Sequence, residues 1–179
     1  YQDSKLEKLA DKGNGNYAYI DTSLEARKVL VEQMGATLET IAKDVKIQVE
    51  FNPIEVAGYR LIGYENRLMA AQDFRDDKKD AGEIGAGHNV TALYEVVPAG
   101  RNLDVPGVDP LRYQTNAEPS AQAWSGELMT VMLRWKKPDQ DVAAGELAFP
   151  VKDSGNNFYE ASSDTRFAAT VAALSLIHI

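Results

Sequence analysis

The segment from residue 73 to residue 83 is rich in carboxylates that could bind a cation. Its acidic residues are Asp73, Asp76, Asp77, Asp80 and Glu83. Hard cations such as Ca²⁺ are bound by several carboxylate oxygens, which makes a metal site one interpretation of this cluster. The spacing does not fit an EF-hand loop, which needs acidic residues at alternate positions and a glycine at the sixth. Because three basic residues also neutralise much of the charge, we favour a solvated loop between two strands over a metal site.

His88, one of only two histidines, follows the acidic loop. With Asp80 or Glu83 it could form an acid–base pair, which is the basis for an alternative interpretation of the chain as a hydrolase. The sequence places no serine or lysine nucleophile beside it, so we expect a structural role for His88, such as a turn or capping hydrogen bond. The glycines at 82, 85 and 87 precede a predicted strand, whereas a phosphate-binding loop follows a strand and opens a helix. They therefore indicate a flexible hairpin.

The overall composition narrows the classes of function. The chain has 179 residues with 27 acidic and 19 basic side chains, which gives a net charge of −8. Because this charge repels phosphate backbones and anionic membrane surfaces, we expect no nucleic-acid partner. Cysteine is absent, which removes disulfides, thiol catalysis and thiolate metal sites. No apolar run approaches the roughly 20 residues of a membrane span, so we predict no transmembrane segment in this stretch of chain.

The stretch from Ile41 to Glu65 is the element around which the chain is organised. Within it, apolar residues at 45, 47, 49 and 51 alternate with polar ones, and this predicts a strand that ends before Pro53. We expect Val45, Ile47, Val49 and Phe51 to face a core and Lys46 to face water. Further strands are predicted at Tyr59–Tyr64, Val90–Val97, Glu127–Trp135 and Glu146–Val151. Residues 44–160 should therefore form a mainly antiparallel β-sandwich.

The residues before this stretch alternate between helix and strand. Residues 3–12 carry an apolar face and are followed by Gly13, which indicates a helix with a C-cap glycine. Residues 16–20 are short and aromatic, as expected of a strand. Thr22 and Glu25 fit a capping box for a helix from Leu24 to about Ala42. Its apolar stripe comprises Leu30, Met34, Leu38 and Ile41, which we expect to pack on a sheet.

Two further elements complete the predicted order. Residues 101–125 are rich in proline and polar residues and should form a long loop. Ser162 or Ser163 can cap a final short helix that runs through Phe167, Val171 and Leu174.

Four long phrases give the sequence a family resemblance. They are LADKGNGNYAYID (Leu9 to Asp21), EARKVLVEQMGATLETIAKDVKIQVEFNP (Glu25 to Pro53), YRLIGYENR (Tyr59 to Arg67) and DAGEIGAGHNVTALYEVVPAG (Asp80 to Gly100). Over about residues 3–174 the chain resembles bacterial von Willebrand factor type A (VWA) domain proteins of the YfbK type, which end in a conserved domain of unknown function.

The resemblance implies an α+β organisation in three parts. Residues 1–36 would be the last helix, strand and helix of a truncated, Rossmann-like VWA domain, and residues 37–173 the β-rich C-terminal domain. Because a lone short strand cannot bury both helices, we expect residues 1–36 to expose apolar side chains. Residues 174–179, LSLIHI, resemble translated sequencing-adapter sequence of the kind seen at the ends of metagenomic reading frames. We expect this tail to be non-native.

VWA domains of this type typically bind Mg²⁺ or another divalent cation through an Asp-x-Ser-x-Ser motif, a distal Thr and a distal Asp. The resemblance implies that these positions lie upstream, so we predict no metal ligand, cofactor-binding residue or catalytic residue in this fragment. It also implies a cell-envelope location, either periplasmic or through a lipoprotein anchor.

The leading functional interpretation is a non-catalytic binding or scaffold module that acts through protein partners. One alternative is the hydrolase that uses His88 and the acidic loop. A second alternative is a purely structural domain that positions the VWA domain.

Overall fold

A computed structural model describes residues 2–13, 15, 17–34, 39–64, 68–101, 112 and 118–177. The fold is of mixed α+β type, with antiparallel sheets and few helices, which confirms the predicted class. No VWA-type Rossmann part is evident among these residues. The chain divides into two compact units. One comprises Tyr1–Gln48, Met69–Val90 and Met132–Leu147, and the other Val49–Leu68, Thr91–Val131 and Ala148–Ile179.

Six strands and three α-helices are described. The strands are β1 (Thr40–Phe51), β2 (Val56–Ile62), β3 (Gly82–Gly85), β4 (Leu93–Pro98), β5 (Met129–Lys136) and β6 (Ala143–Val151). The helices are α1 (Asp3–Lys12), α2 (Ser23–Arg27) and α3 (Ser163–Ile177). Every strand predicted after residue 40 is present within a few residues of its expected bounds. β3, which was predicted only as a flexible glycine-rich hairpin, is an additional strand.

The strands form a four-stranded sheet in the order β3-β1-β5-β6 and a two-stranded sheet of β2 and β4. β1 pairs with β3 in an antiparallel manner, and its register shifts twice between Thr40 and Val45. Asp44 lies at this irregularity with φ of 50°. A left-handed conformation of this kind is uncommon for a residue with a Cβ, and such bulges re-aim side chains. β1 therefore changes which of its residues face each side of the sheet.

The two faces of β1 differ from the prediction. Phe51 is buried and Val45 and Val49 are half-buried, as expected, but Ile47 is 46% exposed. Lys46, which was predicted to face water, is only 3% exposed. Lys46 is buried because the segment that contains Asp73 and Asp76 covers this side of the strand.

β2 and β4 form an antiparallel ladder from Val56 opposite Pro98 to Ile62 opposite Leu93, with one register shift between Val56 and Gly58. Aromatic rings stabilise its beginning. Phe51 stacks on Tyr59 with ring centroids 4.2 Å apart and meets Tyr94 edge-on at 5.4 Å. Such pairs add about 0.5–1.5 kcal/mol to the burial of their area. Phe51 and Tyr59 of the organising stretch thus pack together with Tyr94 of β4.

The N-terminal residues follow the prediction only in part. α1 forms, and the amide of Gly13 donates to the carbonyl oxygens of Leu9 and Ala10, as expected of a C-cap glycine. Residues 17–20 are not a strand. The predicted helix to Ala42 is too long, because among the described residues α2 ends at Arg27, a π-helical turn follows at Lys28–Glu32, and β1 begins at Thr40. The β-branched residues Thr40 and Ile41 already belong to β1, where they are favoured.

The capping box before α2 is only half formed. The amide of Glu25 donates to Thr22 Oγ1 at 3.1 Å, as predicted. The carboxylate of Glu25 instead binds Lys28 Nζ at 3.2 Å. Side chains of residues 1–36 expected to contact a sheet are largely exposed, including Leu9 (70%), Leu24 (77%) and Leu30 (62%). The expected exposure of apolar groups in this region is confirmed for these residues.

The C-terminal helix is confirmed. α3 begins at Ser163, and Ser162 caps it by accepting the amide of Thr165 on Oγ at 3.2 Å. In the predicted proline-rich loop, residues 121–125 form a 3₁₀ turn. Residues 102–111 and 113–117 of that loop, together with Leu38 of the predicted apolar stripe, lie outside the described residues.

Candidate functional site

Residues 71–80, which we call the strap, lie between β2 and β3 and contact the polar side of β1 and β5. The strap begins with a 3₁₀ turn, Ala71–Arg75, whose Phe74 is 3% exposed. It contains most of the predicted acidic cluster. The segment does connect two strands, as expected, but hydrogen bonds hold it to the sheet where a freely solvated loop was favoured.

Lys46 anchors the first half of the strap. Its Nζ donates to the backbone carbonyl oxygen of Asp73 at 3.0 Å and to that of Asp76. Removing an ammonium group from water costs several kcal/mol unless it gains acceptors. The carbonyl groups at the end of the 3₁₀ turn are those acceptors. The buried lysine and the strap conformation therefore depend on each other.

Lys136 anchors the second half of the strap and is 7% exposed. Its Nζ donates to Asp44 Oδ2 at 2.6 Å and to the carbonyl oxygen of Asp77 at 2.7 Å. The other oxygen of Asp44 accepts the amide of Ala81 at 3.0 Å. The hydrogen bond to Asp44 raises the pKa of Lys136 above its ordinary value. Lys136 is thus held as an ammonium ion.

The carboxyl group of Asp44 responds in the opposite direction. Burial alone would raise its pKa, but the hydrogen bonds from Lys136 and from the Ala81 amide outweigh burial, and the pKa lies below its ordinary value. The side chains of Asp44 and Lys136 are only 14% and 9% exposed. Asp44 is therefore an ionised, largely buried partner of Lys136.

Ion pairs at the edge of this cluster are more exposed. Arg134 binds the carboxylate of Asp77 at 2.7 Å, and the guanidinium group of Arg75 binds Glu146 through two hydrogen bonds of 2.5 and 2.9 Å. The Arg75 side chain is 62% exposed. Exposed pairs of this kind typically contribute 1 kcal/mol or less, roughly, to stability. The two lysines are therefore the principal contacts of the strap.

Two acidic residues near the cluster carry raised pKa values. Burial, followed by the neighbouring carboxyl of Asp44, raises the pKa of Asp80. Burial, followed by repulsion from Asp80 and Asp44, raises the pKa of Glu83. The structure thus brings Asp44, Asp80 and Glu83 close enough to influence one another's ionisation.

His88 takes part in a turn. Its backbone amide donates to the carbonyl oxygen of Gly85 at 3.0 Å, next to Gly87 with φ of 81°, and its side chain is exposed. This is the kind of turn hydrogen bond that the sequence suggests for His88. His178 lies outside the described residues.

Sequence reasoning missed Asp44, Lys46 and Lys136. Strict alternation predicts Lys46 in water, and the strand predicted at Glu127–Trp135 ends just before Lys136. The one signal available was the run of acidic residues between two strands, since such a segment can pair with cations on the strands that flank it. Which cations it pairs with depends on the irregular register of β1, which the sequence does not reveal.

A second surface lies on α3. An open apolar groove of ≈ 270 Å³ is lined by residues of β2, β4 and α3, namely Ile62, Leu93, Tyr94, Glu95, Ala169, Ala172 and Ala173. The alanine side of α3 thus faces the two-stranded sheet. The other side presents Phe167, Val171 and Leu174, which are 72%, 50% and 57% exposed. These residues recur at i, i+4 and i+7, so we call them the apolar stripe of α3.

Comparison with known proteins identifies the family of the chain. The family model described as "Uncharacterized protein YfbK, C-terminal" matches residues 36–178. The chain belongs to the YfbK C-terminal domain family. It is 42% identical over 173 residues to "Uncharacterized protein YfbK" of Escherichia coli (strain K12), a match that covers 97% of the chain. The chain spans 29% of the length of this YfbK relative. No solved structure matches the chain.

The resemblance of YfbK-type proteins to VWA proteins implies a divalent cation, which the residues present do not fit. Asp-x-Ser-x-Ser does not occur in the sequence. Among the described residues, no group of three or more His, Asp or Glu side chains has an arrangement that could hold a metal ion. The carboxylates of Asp44, Asp77 and Asp73 instead form ion pairs with Lys136, Arg134 and Lys79 respectively. Within the described part of the chain, no helix is both long and apolar enough to cross a bilayer.

Proposed function

We propose that the chain is a non-catalytic protein-binding or scaffold module, the C-terminal part of a bacterial cell-envelope protein that carries a VWA domain. The observation that supports this proposal best is the apolar stripe of α3. A helix that is apolar on opposite sides is normally covered on both. Here the alanine side faces the two-stranded sheet, while Phe167 and Val171, which precede the tail expected to be non-native, are exposed.

The energy available from this stripe is substantial. Complete burial of a Phe, Val or Leu side chain contributes about 1.5–3 kcal/mol each. Since Phe167 and Val171 are each at least half exposed, a partner that covers them would gain roughly 2–4 kcal/mol of gross hydrophobic stabilisation. This is enough for the stripe to act as the centre of an interface.

The buried lysines support a non-catalytic role. A nucleophilic lysine must lose its proton, which requires a lowered pKa. In this chain Asp44 raises the pKa of Lys136. Lys46 is bound to two backbone carbonyl groups. We infer that both are structural cations, and that the chain needs no cofactor for its own activity.

The finer parts of the proposal rest on family resemblance. Residues 1–36 would belong to the end of a VWA domain, and the exposed apolar side chains at 9, 24 and 30 would be covered by upstream parts of that domain. The β-rich residues would form a sandwich. Any divalent cation would be held by the upstream VWA residues, and the protein would reside in the cell envelope.

Photo-crosslinking in cells tests the binding proposal. The chain replaces the corresponding C-terminal part of E. coli YfbK, with a photoreactive amino acid at position 167 or 171. A matched control carries the same amino acid at Tyr159, an aromatic residue that is 82% exposed and lies outside α3. We expect discrete protein adducts from 167 and 171 but not from 159. Failure of both stripe positions to yield adducts would overturn the proposal.

A further inference from the structure

The Asp44–Lys136 pair joins three parts of one compact unit. Lys136 lies at the end of β5, binds the carboxylate of Asp44 in β1, and binds the carbonyl oxygen of Asp77 in the strap. Asp44 also accepts the amide of Ala81, directly after the strap. One ion pair therefore fixes the chain on both sides of residues 78–80. Loss of the charge on Asp44 would weaken both attachments together.

Backbone strain adds to this coupling. Asp44 adopts φ of 50°, in the left-handed region, within the irregular pairing of β1 and β3. A non-glycine residue in such a conformation is uncommon and persists only where surrounding contacts impose it. The contacts that hold Asp44 include the ion pair with Lys136, the hydrogen bond from the Ala81 amide and a side-chain hydrogen bond with Asp80. Weakening them favours relaxation of β1 at this point.

The charged groups around Asp44 come from every neighbouring element. They are Lys43 and Lys46 of β1, Asp77 and Asp80 of the strap, Glu83 of β3, Arg134 and Lys136 of β5, and Asp141 in the turn before β6. Of these, Lys136 makes the direct ion pair with Asp44. Arg134 and Lys43 are bound to Asp77 and Asp141 respectively. Protonation of Asp44 therefore leaves the ammonium group of Lys136 buried without the ionised acceptor that it has at neutral pH.

We propose that the strap is a pH-dependent segment, and that the Asp44–Lys136 ion pair is the latch that closes it. When Asp44 is ionised, Lys136 holds the strap against β1 and β5. When Asp44 is protonated, the second half of the strap, from Asp77 to Ala81, loosens from β1 and β5, while Lys46 still holds the carbonyl groups of Asp73 and Asp76.

The direction of the pH effect follows from Asp44. Its pKa is lowered in the folded chain, so the stability that it contributes is present above the unfolded value of 3.8 and is lost as pH falls through the lower, folded pKa. The strap is therefore closed at neutral and mildly acidic pH and opens only in strong acid.

Hydrogen exchange on the whole chain tests this proposal. The variant Asp44→Asn removes the charge at neutral pH without changing the size of the side chain. We expect amide exchange in residues 77–81 to rise at least about tenfold in this variant, while exchange in β2 and β4 stays unchanged. The matched control is Asp141→Asn, because Asp141 pairs with Lys43 at 3.0 Å but is 97% exposed and does not bind the strap. It should leave exchange in the strap within about twofold of wild type.

The wild-type chain provides the second measurement, in case Asp44→Asn fails to fold. Exchange in residues 77–81, corrected for the intrinsic rate, should accelerate as pH falls below about 4, before that in β2 and β4. Lys136→Met should reduce this difference because the latch is absent at every pH. Unchanged exchange in the strap of Asp44→Asn would refute the latch. Simultaneous acceleration of the strap, β2 and β4 in acid would also refute it, because the strap would then not open separately.

Discussion

Replacement of Lys46 by Met tests whether a buried lysine stabilises the strap. Met keeps an unbranched apolar chain of similar reach but cannot donate to the carbonyl oxygens of Asp73 and Asp76. Two hydrogen bonds from a charged donor contribute about 1.5–3 kcal/mol each. The buried ammonium also carries a desolvation cost of several kcal/mol, which the substitution removes.

The expected net effect follows from what the substitution leaves behind. The two carbonyl groups lose their donor, at about 1–3 kcal/mol each if they stay buried, although water can reach part of the strap. We therefore expect Lys46→Met to lower the free energy of unfolding by about 2 kcal/mol, which corresponds to roughly 4–8 °C in Tm for a chain of this size.

Urea denaturation followed by circular dichroism measures this change, provided that the m-value stays constant. Lys43→Met is the matched control on the same strand. Lys43 pairs with the 97% exposed Asp141, so its loss should cost less than about 1 kcal/mol. Equal stabilities of Lys46→Met and wild type would refute the reasoning, because the carbonyl groups would then not depend on the lysine.

Three further substitutions address other parts of the structure. Gly145→Ala would place a Cβ 2.7 and 2.8 Å from ring atoms of Trp135, so thermal denaturation should show a loss of about 1–3 kcal/mol; an unchanged Tm would mean that the ring moves aside freely. Asn52→Ala removes the hydrogen bonds of 2.8 and 2.7 Å that the side-chain amide donates to two backbone carbonyl groups. The free energy of unfolding, measured in urea, should fall by about 2 kcal/mol, and a fall below about 0.5 kcal/mol would contradict those hydrogen bonds. Asp80→Asn should be more stable than wild type at neutral pH and equal to it well below 3.8. Because the pKa of Asp80 is raised in the folded chain, its contribution to the free energy of unfolding is complete in acid and is lost as pH rises. A variant that is less stable than wild type at neutral pH would contradict this direction of the pH effect.

The strands after residue 40 could be predicted from the sequence because period-two alternation and aromatic or branched residues act locally. Phe51 is an example, since its position in the pattern and its burial agree. α3 could also be predicted from the sequence, because its Ser162 cap and its apolar spacing are both local features.

The residues before β1 show where local pattern fails. Leu30, Met34 and Ile41 have helical spacing, but Ile41 is β-branched and lies next to Thr40 in β1. Propensity is a weak guide where tertiary pairing offers an alternative.

The contacts between the strap and the sheet were not predictable for a different reason. Its bonds join residues up to 92 positions apart, as between Asp44 and Lys136. They also depend on the left-handed backbone conformation of Asp44, which no turn motif in the sequence predicts. The acceptors of Lys46 are backbone carbonyl groups, which every residue has, so no side-chain pattern marks them.

The claim that the chain acts through contacts and not through catalysis is tested most directly at Lys136, its most enzyme-like residue. Its pKa can be measured by NMR of the whole chain with ¹³C-labelled lysine, using Lys136→Arg to assign the signal. The structure predicts a protonated Lys136 with a pKa above the ordinary value of 10.5, because Asp44 binds the ammonium form. A Lys136 that titrates near neutral pH would be a neutral, nucleophilic amine under physiological conditions, and that result would contradict the non-catalytic account.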